Sequence, residues 1–397
     1  MPNPSTLPAY PWHRACPVCT ADDARSLLDN RMAPLDGLDM SYRVSRCGHC
    51  GFHFASDLPH PDTYSAYYRA LSKYDVIIGS TVVSPTTNSR IRRTLELCTP
   101  YLPQNALIVD IGCGFGALLN AFREAGFPRV HGIDPALHSA FEAARLFGLR
   151  DVHVGTLPEA PARLPLAKAD LLCLTGVAEH LPQLADDLAL LLAQLPAQAM
   201  ALIEVPSQER FLSPPCEPYG EFSLEHIQYF STRALCDLMA RSGFFPRTLS
   251  ILPCQGCTDS LFGLFSRNGD GADATKMPPA ADLDAYLAYS ATGLDQALSR
   301  LAETTRQPFI LFGAGSHTAR LIPQLERLGL ATGVLALVDN NPNLQGKELG
   351  GFTIQDSSLL ARYPDTPVLI SSFHAQNVIA RQLAGRHPTI LLYEAGP

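Results

Sequence analysis

From Leu107 onward the chain alternates short apolar runs with longer stretches in which apolar residues recur every three or four positions. LIVDI, VHGID, DLLCL and ALIEV are near-continuous apolar runs bounded by polar residues, the pattern of strands buried on both faces. Leu184, Leu188, Leu191, Leu192 and Leu195 fall on one helical face. Strand and helix in alternation predict a doubly wound α/β domain. Upstream, Ile91, Leu95 and Cys98 mark a helix within a tyrosine-bearing stretch at 61–100, whereas the first fifty or so residues read as strand-poor and cysteine-bearing. The segment NGDGADATKMPPAADLD (268–284) has the composition of a linker. A helix is predicted over 283–305, and a second α/β run starts at PFILFGAG. The expected division is 1–60, a small cysteine module; 61–267, the first α/β domain with its helical segment; 268–284, linker; and 285–397, a second α/β domain.

Composition narrows the classes. With 46% apolar residues in 397, core burial is not limiting, and two or three domains are expected. No apolar run is long enough for a membrane helix, and MPNPSTLPAYPWHR lacks a basic-then-apolar leader pattern, so a cytoplasmic protein without a membrane partner is expected. A net charge of −8 without Lys/Arg blocks argues against a nucleic-acid partner and for a small-molecule one. Oligomeric state is not legible.

Without a leader, eleven cysteines point to metal binding or buried thiols. Cys16-Pro-Val-Cys19 and Cys47-Gly-His-Cys50 form two CxxC pairs. Each pair makes a knuckle with two thiolates on one side, and two knuckles complete a tetrahedral site that suits Zn²⁺. With no open position, that zinc is structural. A lone third pair, Cys254 and Cys257, reads as a turn before the strand SLFGLFS.

Leu107-Ile-Val-Asp-Ile-Gly-Cys-Gly-Phe-Gly116 is the most informative stretch. A buried strand ends at Ile111, and Gly112, Gly114 and Gly116, with Cys113 among them, let the backbone turn sharply against a ligand before a helix beginning near Ala117. Asp110 at the strand end suits an amino-acid terminus. Asp134, followed by Pro135 after the next strand, suits two ribose hydroxyls. NAD is the rival ligand for such a crevice. Glu179-His180 follows the next strand; the pair faces the pocket as a cofactor wall, or it is a polar loop capping the next helix.

These residues resemble the motifs of class I S-adenosylmethionine-dependent methyltransferases, which implies a Rossmann-like core and that cofactor. Such relatives often carry an acid after the third strand, near the adenine; here the loop reads Val154-Gly155-Thr156-Leu157. The three-part layout, the stretch Glu225-His226…Tyr229-Phe230-Ser231 and the segment VDNNPNLQGKELGG (338–351) resemble the nucleotide-sugar C-methyltransferases. That resemblance implies C-methylation of a nucleotide-linked keto-sugar, with His226 as general base and Glu225 assisting. It also implies a tyrosine-rich lid at 61–100, with Tyr67, Tyr68, Lys73 and Tyr74 as candidates for gripping substrate, along with His180 and Ser223. Relatives resemble Tyr-His-Glu-His where this chain has Ser223-Leu224-Glu225-His226, so O- or N-methylation of a sugar or other metabolite stays open, as does a non-catalytic protein that binds the cofactor and zinc.

In the second α/β domain, PFILFGAGS and the strand ending at Asp339 make half of a dinucleotide-type unit with an incomplete glycine pattern. The resemblance implies a Rossmann-like domain that closes over the acceptor, where His317 and Asn340 either touch it or serve the fold.

Overall fold

The computed structural model describes residues 10–71, 84–253, 259–269, 272–304 and 307–393. Three sheets organise the chain. The central one has seven strands. From one edge to the other they are Phe245–Leu252, Ser260–Ser266, Met200–Pro206, Leu171–Thr175, Leu107–Ile111, Arg129–Asp134 and Val152–Val154. The last five run parallel, and Ser260–Ser266 is antiparallel to both of its neighbours. The four apolar runs picked out in the sequence are four of its five inner strands, and Leu107–Ile111 is buried throughout. The strand order reverses between Leu107–Ile111 and Leu171–Thr175, and a crevice opens beyond the carboxyl ends of strands at such a reversal. This is a Rossmann-like core.

The C-terminal sheet has six strands. Phe309–Phe312 lies between the parallel strands Val334–Val338 and Val368–Ile370. The helix Leu283–Thr304 leads into it, and residue 305, the predicted end, lies outside the described residues.

The N-terminal segment differs from its strand-poor reading. Trp12–His13, Ala24–Asn30, Tyr42–Cys47 and His53–Leu58 form an antiparallel sheet. Its core partners come from far along the chain, so periodicity within the segment gives little sign of it. Gln228–Tyr229, from beyond the central sheet, adds a fifth strand by pairing with Phe54 and His53. Phe52 and Phe54 join the core of the central domain, while Met32, Leu35, Tyr42 and Val44 share a core with Ile322, Leu325 and Leu349 of the C-terminal domain. Backbone bonds tie the same surfaces together: Ala33 N to Ala319 O at 2.7 Å and Gly350 N to Pro34 O at 2.9 Å. Arg14 is buried and donates to the carbonyls of Ala55, Pro182 and Ile227. The cysteine-bearing sheet thus packs against the core of the central sheet on one side and that of the C-terminal sheet on the other.

No helix among the described residues is long and apolar enough to cross a membrane.

Candidate functional site

The turn after Leu107–Ile111 is built around a carboxylate. Asp134 Oδ2 accepts from Gly114 N and its Oδ1 from Ala136 N, both at 2.8 Å. The strand-end acid therefore shapes the glycine loop from the neighbouring strand. Gly112, Gly114 and Gly116 all have left-handed φ values, of 70°, 53° and 83°. Their reasons for being glycine differ. A Cβ on Gly112 would lie 2.5 Å from Val177 Cγ2, and one on Gly116 would lie 2.7 Å from Leu149 Cδ1, whereas nothing stands within 4 Å of a Cβ on Gly114. Gly114 faces the crevice, and Gly116 serves packing. Cys113 is buried, with its sulfur against Gly132.

A cavity of about 330 Å³ lies over this turn. Asp110, Gly112, Cys113, Gly114, Asp134 and Pro135 line it, and Gly116 does not. Asp110 is 1% exposed, and its Oδ1 has no hydrogen-bond partner among the described residues. Burial, with Asp134 adding like-charge repulsion, holds its carboxyl well above the usual range. An orphaned buried carboxylate oxygen fits a cationic ligand group. Thr156, Leu157 and Asp187 also line the cavity. Asp187 comes from the helix Leu184–Gln194, and burial pushes its carboxyl up to about 6.

The opposite wall carries the polar cluster. His180 and Glu225 line the cavity together with Tyr68. Glu179 does not: it lies buried in the Ala178–His180 turn, where its backbone carbonyl accepts from Ile227 N at 2.9 Å. The turn brings His180 to the cavity wall, and the buried Glu179 carboxylate stays beside it, with Oε1 3.7 Å from His180 Nε2. His180 Nδ1 and the Glu225 carbonyl share a hydrogen bond of 3.1 Å, and the His180 and His226 rings stand 4.9 Å apart. Tyr67 Oη donates to Glu225 Oε1 at 2.6 Å. Ser223 spends its hydroxyl on the backbone, accepting from Glu225 N and His226 N, and so folds the loop that presents them. Leu224 is buried. Lys73 and Tyr74 lie outside the described residues, as do Cys254 and Cys257.

Sequence reasoning missed Arg90, Thr87 and Tyr64, which also line the cavity. Arg90 precedes Ile91 on the helix Pro85–Cys98 and reads as an ordinary exposed charge. Only the fold brings it to the strand ends.

The two CxxC knuckles face each other. Thr20 and Gly51, each just after a second cysteine, adopt left-handed φ values of 62° and 77°. Thr20 N donates to Cys16 O and Gly51 N to Cys47 O, so the two turns match. The four sulfurs lie within 4.8 Å of one another, with Cys16–Cys50 at 3.6 Å and Cys19–Cys47 at 3.5 Å. Sulfurs around a tetrahedral metal with bonds of about 2.3 Å stand roughly 3.8 Å apart, so this donor set fits a closed thiolate site.

In the C-terminal domain the comparable glycine turn is filled from within. Asp339 Oδ2 accepts from Ala314 N at 2.7 Å. His317 is enclosed between Ser371 Oγ and Tyr393 Oη, both at 2.9 Å, and burial pushes it down to about 4. Asn340 is exposed and accepts from Ser357.

Residues 86–248 match a family described as a methyltransferase domain. No curated protein matches the chain. Among solved structures, a 1,6-didemethyltoxoflavin-N1-methyltransferase from Burkholderia thailandensis, with 1,6-didemethyltoxoflavin and S-adenosylhomocysteine bound, is 18% identical. It covers 55% of this chain and 96% of its own, with a TM-score of 0.39. A magnesium protoporphyrin IX methyltransferase from Synechocystis PCC 6803, with bound SAM, is 14% identical and covers 52% and 97%, also with a TM-score of 0.39.

Proposed function

We propose that this chain, whose residues 86–248 match a methyltransferase domain, uses S-adenosylmethionine to methylate a carbon beside the ketone of a nucleotide-linked sugar, with His226 as general base. The observation that carries the reading is the cluster at the cavity wall: Glu225 faces the cavity and is held by Tyr67, and His226 is the next residue, its ring beside that of His180.

The cofactor supplies an electrophilic methyl group on a positively charged sulfur. Asp110 answers the cationic amino group, and Asp134, fixed by Gly114 and Ala136, offers its remaining acceptor capacity to the ribose hydroxyls. The acceptor must present a nucleophile in line with the methyl–sulfur bond, which is a matter of positioning and of removing one proton. His226 takes the proton from the carbon next to the ketone, since imidazole is basic near neutrality. Methyl transfer to that carbon would break the methyl–sulfur bond and leave its electron pair on sulfur, giving S-adenosylhomocysteine, and the proton taken from the carbon stays on His226 until solvent removes it. Glu225 orients that ring and balances the imidazolium charge. The N-terminal thiolate set holds a structural Zn²⁺, supported by the sulfur spacing.

A second reading is methylation of a sugar oxygen or nitrogen at the same cavity. Ser223 and Leu224 favour it, because neither offers the phenol or imidazole of the resembling family. Deuterium uptake tells the two apart. Incubated with a keto-sugar nucleotide in D₂O without methyl donor, the protein should wash deuterium into the carbon beside the ketone, and His226→Ala should stop it. Methyl transfer to the same compound without any exchange would favour the oxygen or nitrogen acceptor.

A further inference from the structure

Among the described residues that line the cavity, Arg90 is the sole arginine or lysine. Its guanidinium is ion-paired with Glu204, which is 1% exposed in the strand Met200–Pro206. Glu204 pairs across the sheet with Thr175, and its carbonyl accepts from Gly176 N at 2.9 Å. Gly176 has a left-handed φ of 67°, and a Cβ there would sit 2.9 Å from Arg90 Nη2. Arg90 therefore lies against bare backbone at the end of Leu171–Thr175. The next residue, Val177, is the one that a Cβ on Gly112 would strike. Arg90 thus stands at the Asp110–Gly112 end of the crevice.

That position has a chemical consequence. The amino-acid end of a sulfonium nucleoside carries an ammonium and a carboxylate. Asp110, with its orphaned oxygen, answers the first. Nothing anionic is welcome beside Asp110 unless a cation stands with it, and the guanidinium fork binds carboxylates in two parallel bonds. We infer that Arg90, oriented by the buried Glu204, is the subsite for the carboxylate of the cofactor's amino-acid end. The inference rests on the methyltransferase reading and adds to it a pair of residues. Arg90 is a binding residue and Glu204 a positioning residue, and neither meets the transferred methyl group.

The test compares two ligands by calorimetry. S-adenosylhomocysteine has the amino-acid end, and 5′-methylthioadenosine lacks it. The wild-type protein should prefer the former. Arg90→Met should weaken S-adenosylhomocysteine by roughly tenfold to a hundredfold, the size of one lost charge-assisted contact, and leave 5′-methylthioadenosine within twofold. Arg90→Lys, which keeps the charge without the fork, should fall between. Glu204→Gln should lower the preference in the same direction with 5′-methylthioadenosine again unmoved. The inference is overturned if Arg90→Met weakens both ligands alike, or neither. Wild-type binding of S-adenosylhomocysteine with an unmoved preference would overturn this assignment and leave the methyltransferase reading standing; no wild-type binding would overturn both.

Discussion

Tyr67 donates a hydrogen bond of 2.6 Å to Glu225, and so joins the helix Pro61–Leu71 to the loop that carries His226. Tyr67 is itself buried, so the bond sets where the Glu225 carboxylate points. Tyr67→Phe keeps the ring and removes the donor. Turnover should fall by about tenfold, in line with the loss of one hydrogen bond to a charged group, while affinity for S-adenosylhomocysteine stays unchanged. Turnover within twofold of wild type would mean that the bond serves packing alone.

Asp110 sets stability against binding. Its carboxyl is held well above the usual range by burial and, second, by Asp134. In the unfolded chain it loses its proton near pH 3.9. Above that pH the ligand-free folded state holds the extra proton, so stability falls as pH rises until the folded group ionises too. Asp110→Asn removes that penalty. Its ligand-free melting temperature should exceed wild type at pH 7, with the difference vanishing near pH 4, and its affinity for S-adenosylhomocysteine should drop at least about tenfold. A variant that melts below wild type at pH 7 would contradict the assignment.

The thiolate site should matter beyond its own module. Arg14, two residues before Cys16, is bonded to Pro182, which lines the cavity, and to Ile227 after His226. Metal analysis should give one zinc per chain. Cys16→Ser or a strong chelator should lower both melting temperature and turnover, with zinc restoring turnover after chelation. Full activity in zinc-free protein would contradict this.

The parts legible in the sequence were those specified locally. The strand-and-glycine run to Gly116, Asp134 and the paired cysteines each carry their chemistry within a few residues. Strand pairing between Gln228–Tyr229 and His53–Leu58, and the core that Tyr42 shares with Ile322, join residues far apart, and no window of sequence holds both halves. Arg90 was illegible for the same reason, since its role depends on Glu204 and Gly176 across the crevice. Glu179 and His180 show the limit in miniature. Adjacency predicted one fate for both, yet only His180 lines the cavity, with the buried Glu179 carboxylate packed beside its ring.

His317 should give the protein an acid-sensitive term. Burial, then the nearby Arg320, pushes it down to about 4, although Glu217 pulls the other way. Unfolded histidine titrates near 6.5. Between these values the unfolded state binds more protons, so stability is lost as pH falls from about 6.5 to 4, by on the order of 3 kcal/mol for this group. His53, pushed down to about 4 by burial, acts in the same sense. His317→Gln should flatten the decline in melting temperature over that window. An unchanged slope would show that His317 is not the group responsible.

The central claim concerns what fills the crevice over Asp110, Gly114 and Asp134. Titration of the wild-type protein with S-adenosylhomocysteine, with NADH in a parallel cell, tests it most directly. The expected result is saturable binding of S-adenosylhomocysteine at one site per chain, lost in Asp134→Ala, with no heat from NADH. Binding of NADH in its place, or S-adenosylhomocysteine binding that survives Asp134→Ala undiminished, would contradict the account.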